Sequence, residues 1–280
     1  MKTRTILNLA FALTVISLFV SCAPSSSTQE ASYLPNQQDQ NIIGGVSSTA
    51  DYQKKNGVVG LMVIADDAQG NEVSFVCTGS LIQTNVVITA AHCLTLPQGM
   101  KLSAAFVFFG VNLDTVLSEL EKNDLSHIRS FTKIVRHEKY LQGSGTNNDI
   151  GLVRFDGTAP AGFQLALLAP ASMARTLRKG SAVTLSGFGV SSYKKDPLSG
   201  EPVGTGDGIL RQVSGIKVLS LTATGEEITL DQSQGRGACH GDSGGPAYLV
   251  DSLSKKTYVV GLTSRGEGLC DRTAVYTGVM

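Results

Sequence analysis

The sequence predicts an all-β fold, a sandwich or barrel of antiparallel strands, from three observations. Short β-branched runs recur from Ile42 onward, separated by Gly, Asn and Asp. Helical periodicity is scarce. The chain's 280 residues, 42% of them hydrophobic, suffice for one large unit or for two small barrels packed together. Examples are Val58 to Ile64, Val86 to Thr89, Ala105 to Phe109, Ile150 to Phe155, Ala182 to Ser186 and Tyr258 to Thr263. Such spacing of short strands and turn residues is that of an antiparallel architecture. Asp114 to Asn123 carries the one helical pattern, and Tyr193 to Gly208, rich in Gly and Pro, reads as an exposed loop.

Lys+Arg and Asp+Glu both number 23, giving a formal charge of zero. A nucleic acid partner is therefore not expected, nor an electrostatic lipid surface. The first residues, with Lys2 and Arg4 ahead of an uncharged apolar run from Ile6 to Val20, have the layout of a secretory signal over 1–21. That run falls short of the roughly 20 residues needed to span a bilayer. Residues 22–41 are rich in Ser, Gln, Asn and Pro with little to bury, a tether or propeptide.

Five cysteines leave one over in an exported chain. Leu18-Phe19-Val20-Ser21-Cys22 resembles a bacterial lipobox, with Phe19 where Leu is usual, so Cys22 is the expected lipidation site and a route to membrane attachment. Ordinary signal cleavage after Ala23 is the other reading. Either leaves four cysteines, for two disulfides or, as a rival, a zinc site. The spacings lack the close cysteine pairs structural zinc prefers, and no metal is expected.

Four motifs carry chemistry: Ile42-Ile43-Gly44-Gly45, Thr89-Ala90-Ala91-His92-Cys93, Asn148-Asp149-Ile150-Gly151-Leu152 and Gly241-Asp242-Ser243-Gly244-Gly245-Pro246. A serine hydroxyl needs a base to become a nucleophile near neutral pH, and an imidazole supplies one; a buried carboxylate can hold the imidazole's other nitrogen. Taken singly, His92 could be a core histidine, Asp149 a turn or cap residue, and Ser243 part of a glycine-rich turn.

In this order the four motifs resemble the trypsin/chymotrypsin-like serine protease family, over Ile42 to Val279, as an exported member of bacterial type. The resemblance implies two packed antiparallel β-barrels, about 42–160 and 172–280, with the active site in the cleft between them. It assigns His92, Asp149 and Ser243 as the catalytic triad and the Gly241 and Ser243 N–H groups as the oxyanion hole. Cleavage before Ile42 would free an ammonium that pairs with Asp242, so the chain is expected as a zymogen. Asn41 stands where many relatives have Arg or Lys, which leaves the activating protease unknown.

The resemblance pairs Cys77 with Cys93, closing a loop of about 15 residues worth roughly 3 kcal/mol, and Cys239 with Cys270. It places Gly237 at the base of the primary pocket, beside Ala238, with Gly266 and Ala274 on the walls. With no acid at that base, apolar residues are expected before the scissile bond. Ser264-Arg265-Gly266 would pair with the substrate backbone. Arg265 replaces a tryptophan there, altering the neighbouring subsite or turning it toward acidic groups. His240 reads as a rim residue, and His127 and His137 as surface or core positions. Relatives continue past Val275-Tyr276-Thr277 into a C-terminal helix, whereas this sequence ends at Met280. The expected reaction is peptide-bond hydrolysis through an acyl-enzyme, with protein or peptide substrates, no cofactor and a monomeric enzyme. The alternatives are a catalytically silent pseudoprotease that binds partners and a tethered surface binding protein.

Overall fold

The computed structural model describes residues 42–143, 148–267 and 269–280, with the side chains of residues 174 and 175 left out. The signal and tether segments, Cys22 and Asn41 lie outside the described residues. After β1 (Val46–Ser47) and α1 (Ala50–Asn56), the first half holds β2 (Val58–Asp66), β3 (Glu72–Gln83), β4 (Val86–Thr89), β5 (Lys101–Phe108), α2 (Leu113–Glu121), β6 (Ile128–Arg136) and β7 (Gly151–Phe155). The second half holds β8 (Leu167–Leu168), β9 (Ala182–Gly187), β10 (Ser192–Lys195), β11 (Pro202–Thr205), β12 (Arg211–Leu221), β13 (Glu227–Asp231), β14 (Pro246–Val250), β15 (Thr257–Gly266) and β16 (Thr273–Gly278).

Strands β2-β3-β4-β7-β6-β5 close one antiparallel barrel, and β12-β13-β16-β15-β14-β9 close a second through the β9–β12 pairing. Closure removes the exposed strand edges that such short strands would otherwise present. Each barrel has its own core: Val59, Leu61, Leu81, Val107, Val153 and Phe155 in the first, and Leu185, Val213, Ile228, Leu230, Val260 and Tyr276 in the second. A third cluster joins them. Val58, Phe108 and Leu113 pack against Phe188, Leu210, Tyr248 and Leu262, and the Phe108 and Phe188 rings meet edge-on with centroids 4.8 Å apart.

Three expectations are revised. The N-terminal segment assigned to the first barrel belongs with the second, because Val46 and Ser47 pair with Gln212 and Arg211 and the Ile42 side chain is fully buried in the second core. The stretch Tyr193 to Gly208 contains the β10–β11 hairpin, exposed along most of its length. The helix expected from Asp114 starts one residue earlier, because the Asn112 side chain accepts from the Asp114 and Thr115 N–H groups and caps it.

Candidate active site

Strand β4 ends at Thr89, and Ala90 and Ala91 lead, fully buried, into a single 3-10 turn that begins with His92. Asp149 precedes β7, which pairs with β4 from Val86–Arg154 to Thr89–Gly151 and so brings the two loop ends together. His92 Nδ1 lies 2.7 Å from Asp149 Oδ2, and the His92 backbone N–H donates to Oδ1 at 2.9 Å. The Ser264 hydroxyl donates to Oδ2 at 2.7 Å. Burial pushes the Asp149 carboxyl up, but the hydrogen bond and charge of His92, with the bonds from Ser264 and the His92 N–H, outweigh it and hold the carboxyl below its ordinary range. An ionised carboxylate only accepts, so Nδ1 carries the proton and Nε2 is left with a lone pair.

Ser243 comes from the second barrel, on the turn before β14. Its carbonyl accepts from the Thr78 N–H at 2.8 Å and lies 3.5 Å from the sulfur of Cys93, the residue next to His92. Gly244 makes that approach possible. Its φ is +76°, and a Cβ there would lie 2.0 Å from Thr89 Oγ1 and 2.6 Å from the Ala90 nitrogen. His92, Ser243 and Gly241 line one cleft of about 490 Å³, bounded by Val76 and Cys77 on the first barrel and by Val190, Asp207 and His240 on the second.

The two expected oxyanion donors sit in fixed peptides. The His240 carbonyl, in the same peptide as the Gly241 N–H, accepts from Val190 N at 2.8 Å; the Asp242 carbonyl, paired in the same way with the Ser243 N–H, accepts from Gly245 N at 2.8 Å. A trans peptide directs its N–H opposite to its carbonyl, and among the described residues neither N–H has a partner.

Asp242 is 1% exposed, and its carboxylate accepts from Gly189 N and Cys239 N, each at 2.8 Å. Burial raises its pKa to about 7, against the pull of those N–H groups and the Arg211 charge. In this continuous chain the Ile42 nitrogen is a peptide nitrogen, yet the residues after it are already docked: Ile43 bridges to Gly237, whose N–H donates to the Ile43 carbonyl at 2.8 Å.

Cys77 is bonded to Cys93 and Cys239 to Cys270, so neither sulfur pair is available to zinc, although His92 and His240 lie close to them. Gly237 and Ala238 are buried beside the second disulfide, Ala274 is buried on β16, and Gly266 is exposed at the end of β15, where it pairs with Ala274. Arg265, expected to alter the neighbouring subsite or turn it toward acidic groups, has its guanidinium paired with Glu227 at 2.6 Å. His240 is an exposed rim residue whose ring packs against Tyr193 at 4.6 Å. His127 pairs with Glu119 at the surface, and His137 is exposed.

Sequence reasoning missed Thr78, whose buried hydroxyl accepts from Phe188 N and donates to the Gly241 carbonyl, each at 3.0 Å. It also missed Arg211 and Gln232. No local pattern marks any of the three.

Residues 46–280 match the Trypsin family. Relatives include Chymotrypsin of Phaedon cochleariae, 30% identical over 223 residues that make up 76% of this chain and 71% of the relative. CLIP domain-containing serine protease B4 of Anopheles gambiae is 28% identical over 269 residues, 87% of this chain and 68% of the relative. Kallikrein-15 of Homo sapiens is 27% identical over 222 residues, 73% of this chain and 77% of the relative. With two closed antiparallel barrels, two disulfides and a family match that runs through both halves, this chain belongs to the trypsin family.

Proposed function

We propose that the chain is a serine endopeptidase that hydrolyses peptide bonds through an acyl-enzyme, with His92, Asp149 and Ser243 as its triad. The observation that carries this reading is the doubly bonded Asp149–His92 pair beside Ser243, whose carbonyl is held against Cys93. Ser243 Oγ attacks the scissile carbonyl while His92 Nε2 takes its proton. The tetrahedral oxyanion is held by the Gly241 and Ser243 N–H groups, and the imidazolium is stabilised by Asp149. Collapse returns the proton to the leaving amine, and water repeats the sequence on the ester. The chemistry uses only the chain's own groups.

The primary pocket is assigned to Gly237, Ala238, Gly266 and Ala274, with preference for apolar side chains, and Ser264–Gly266 as the strand that the substrate backbone joins. Activation is assigned to a cut before Ile42 that lets the new ammonium pair with Asp242; the docking of Ile43 on Gly237 supports this, since it holds the segment next to Ile42 against the second barrel. The two disulfides fit an oxidising compartment, and export with lipidation at Cys22 would tether the precursor. The named relatives are insect and human, so the bacterial-type reading rests on the Cys22 segment alone. Because neither disulfide joins residues 22–41 to the barrels, activation would also release the enzyme, and an active Ile42-starting form recovered with membranes would refute that release.

Fluorophosphonate labelling tests the central claim. Processed protein is expected to label and its Ser243→Ala variant not to; correctly processed, folded protein that does not label would favour the binding-protein reading.

A further inference from the structure

Gln232 follows β13, and its side chain is fully buried at 0% exposure. The carboxamide spans both sides of the Cys239–Cys270 disulfide. Nε2 donates to the Ala238 and Cys270 carbonyls, each at 3.0 Å, and Oε1 accepts from the Ala238 N–H at 2.8 Å. Both amide hydrogens are thereby used. A Cβ on Gly237 would lie 2.3 Å from Gln232 Cδ and 2.4 Å from Oε1. The glutamine therefore fills the space that any side chain at position 237 would need.

We infer that Gln232 is a built-in plug that closes the primary pocket and sets its depth and neutrality, an inference that rests on the pocket assigned in the proposed function. The end of the pocket is then an amide whose donors are spent. An incoming cation meets no carboxylate there, and neutral amide oxygens already carrying hydrogen bonds compensate its lost hydration poorly. Cutting the side chain back would do two things: it would lengthen the pocket, and it would free the Ala238 and Cys270 carbonyls to accept N–H groups from a ligand. A glutamine that served only to brace the loop would, when shortened, change stability and leave ligand preference as it was.

The test reads equilibrium binding without turnover, by calorimetry on the full chain carrying Ser243→Ala, with benzamidine as a cationic probe and benzyl alcohol as a neutral one. Gln232→Ala is expected to bind benzamidine roughly tenfold or more tightly than the parent, with a smaller change for benzyl alcohol. Gln232→Met, which refills the volume without an N–H, is expected to show no such gain. Folded Gln232→Ala with unchanged benzamidine affinity would overturn the plug, as would equal gains in both variants. If Gln232→Ala does not fold, Gln232→Ser decides by the same comparison. Labelling of Ser243 in the processed wild-type chain reads the catalytic claim separately. A wild-type chain that does not label while Gln232→Ala gains benzamidine sinks the enzyme and keeps the plug; a labelled wild-type chain with no gain sinks the plug alone.

Discussion

Asp149 holds His92 at two points, its side chain at 2.7 Å and its backbone N–H at 2.9 Å, and takes a third bond from Ser264 at 2.7 Å. These contacts give the carboxylate two jobs, fixing the ring's orientation and selecting the tautomer. Asp149→Asn keeps the shape but cannot demand a proton on Nδ1. Its kcat is expected to fall about 10⁴-fold, as in the Ser-His-Asp template. Ser264→Ala removes one of three donors to the carboxylate and leaves the tautomer, so a loss of about tenfold is expected. Steady-state kinetics on active-site-titrated enzyme checks both, and equal losses in the two variants would contradict the assignment of roles.

Asp242 gives the uncleaved chain a pH dependence of definite sign. Its folded pKa, raised by burial to about 7, stands above the ordinary 3.8. The folded state therefore holds the proton more tightly, and this group's contribution is fully present below about pH 4 and lost as pH rises through 7. Asp149, held low, works the other way: its contribution is present above the ordinary carboxylate range and lost on acidification. In the uncleaved chain, Asp242→Asn is expected to flatten the decline in melting temperature between pH 4 and 7. In a chain cut before Ile42, as proposed, the Ile42 ammonium would favour the ionised carboxylate and reverse the slope until the amine deprotonates, above about pH 8. Thermal melts of both forms across pH 4 to 9 check this, and identical slopes would contradict the Ile42–Asp242 pairing.

Arg211 is 1% exposed and its guanidinium reaches the carbonyls of Gly189, Gly206 and Ile209, which bound the segment that carries the β10–β11 hairpin. A planar fork can serve several carbonyls at once where an ammonium cannot. Arg211→Met is expected to cost about 3–5 kcal/mol, by analogy with breaking a buried charged contact, and to speed proteolytic nicking within 192–205. Arg211→Lys is expected to recover only part of the loss. Denaturant melts and limited proteolysis decide, and an Arg211→Met protein as resistant as the parent would show that the hairpin is anchored elsewhere.

Much of this architecture could be read from local pattern, and the misses share a cause. Strand β4 matches its apolar run at both ends, because all four residues are buried. Strand β5 begins at Lys101, four residues before its recognised run, because Lys101 to Ala104 are exposed and Lys101 and Ser103 break the continuous apolar run there. Strand β6, outside the named runs, is solvent-facing over most of its length. The candidate triad residues were legible through their flanking motifs, whereas Thr78, Gln232 and the Ser264–Asp149 contact were not. Thr78 meets Gly241 across 163 positions and Ser264 meets Asp149 across 115. Polar residues that act by burial beside distant backbone leave no periodicity or spacing to detect.

The seam between the barrels supplies the last expectation. Thr78 belongs to β3, yet all its polar groups serve the second barrel or the strand beside it. Its N–H holds the Ser243 carbonyl, its hydroxyl links Phe188 N to the Gly241 carbonyl, and its carbonyl accepts from Thr89 Oγ1 at 2.8 Å. Thr78→Val has nearly the same shape and deletes only the hydroxyl, leaving a buried donor and a buried acceptor without partners at a cost of about 1–3 kcal/mol. If the hydroxyl also sets the angle of the turn that presents the Gly241 N–H, catalysis falls as well. Outright loss of one oxyanion donor costs about 10² to 10³ in kcat, so partial misalignment is expected to cost about tenfold, in kcat and not in KM. Thr78→Ser, which keeps the hydroxyl and gives up a methyl group, is expected to restore kcat. A Thr78→Val enzyme that is less stable but turns over at the parent rate would make this residue a brace for the seam and nothing more.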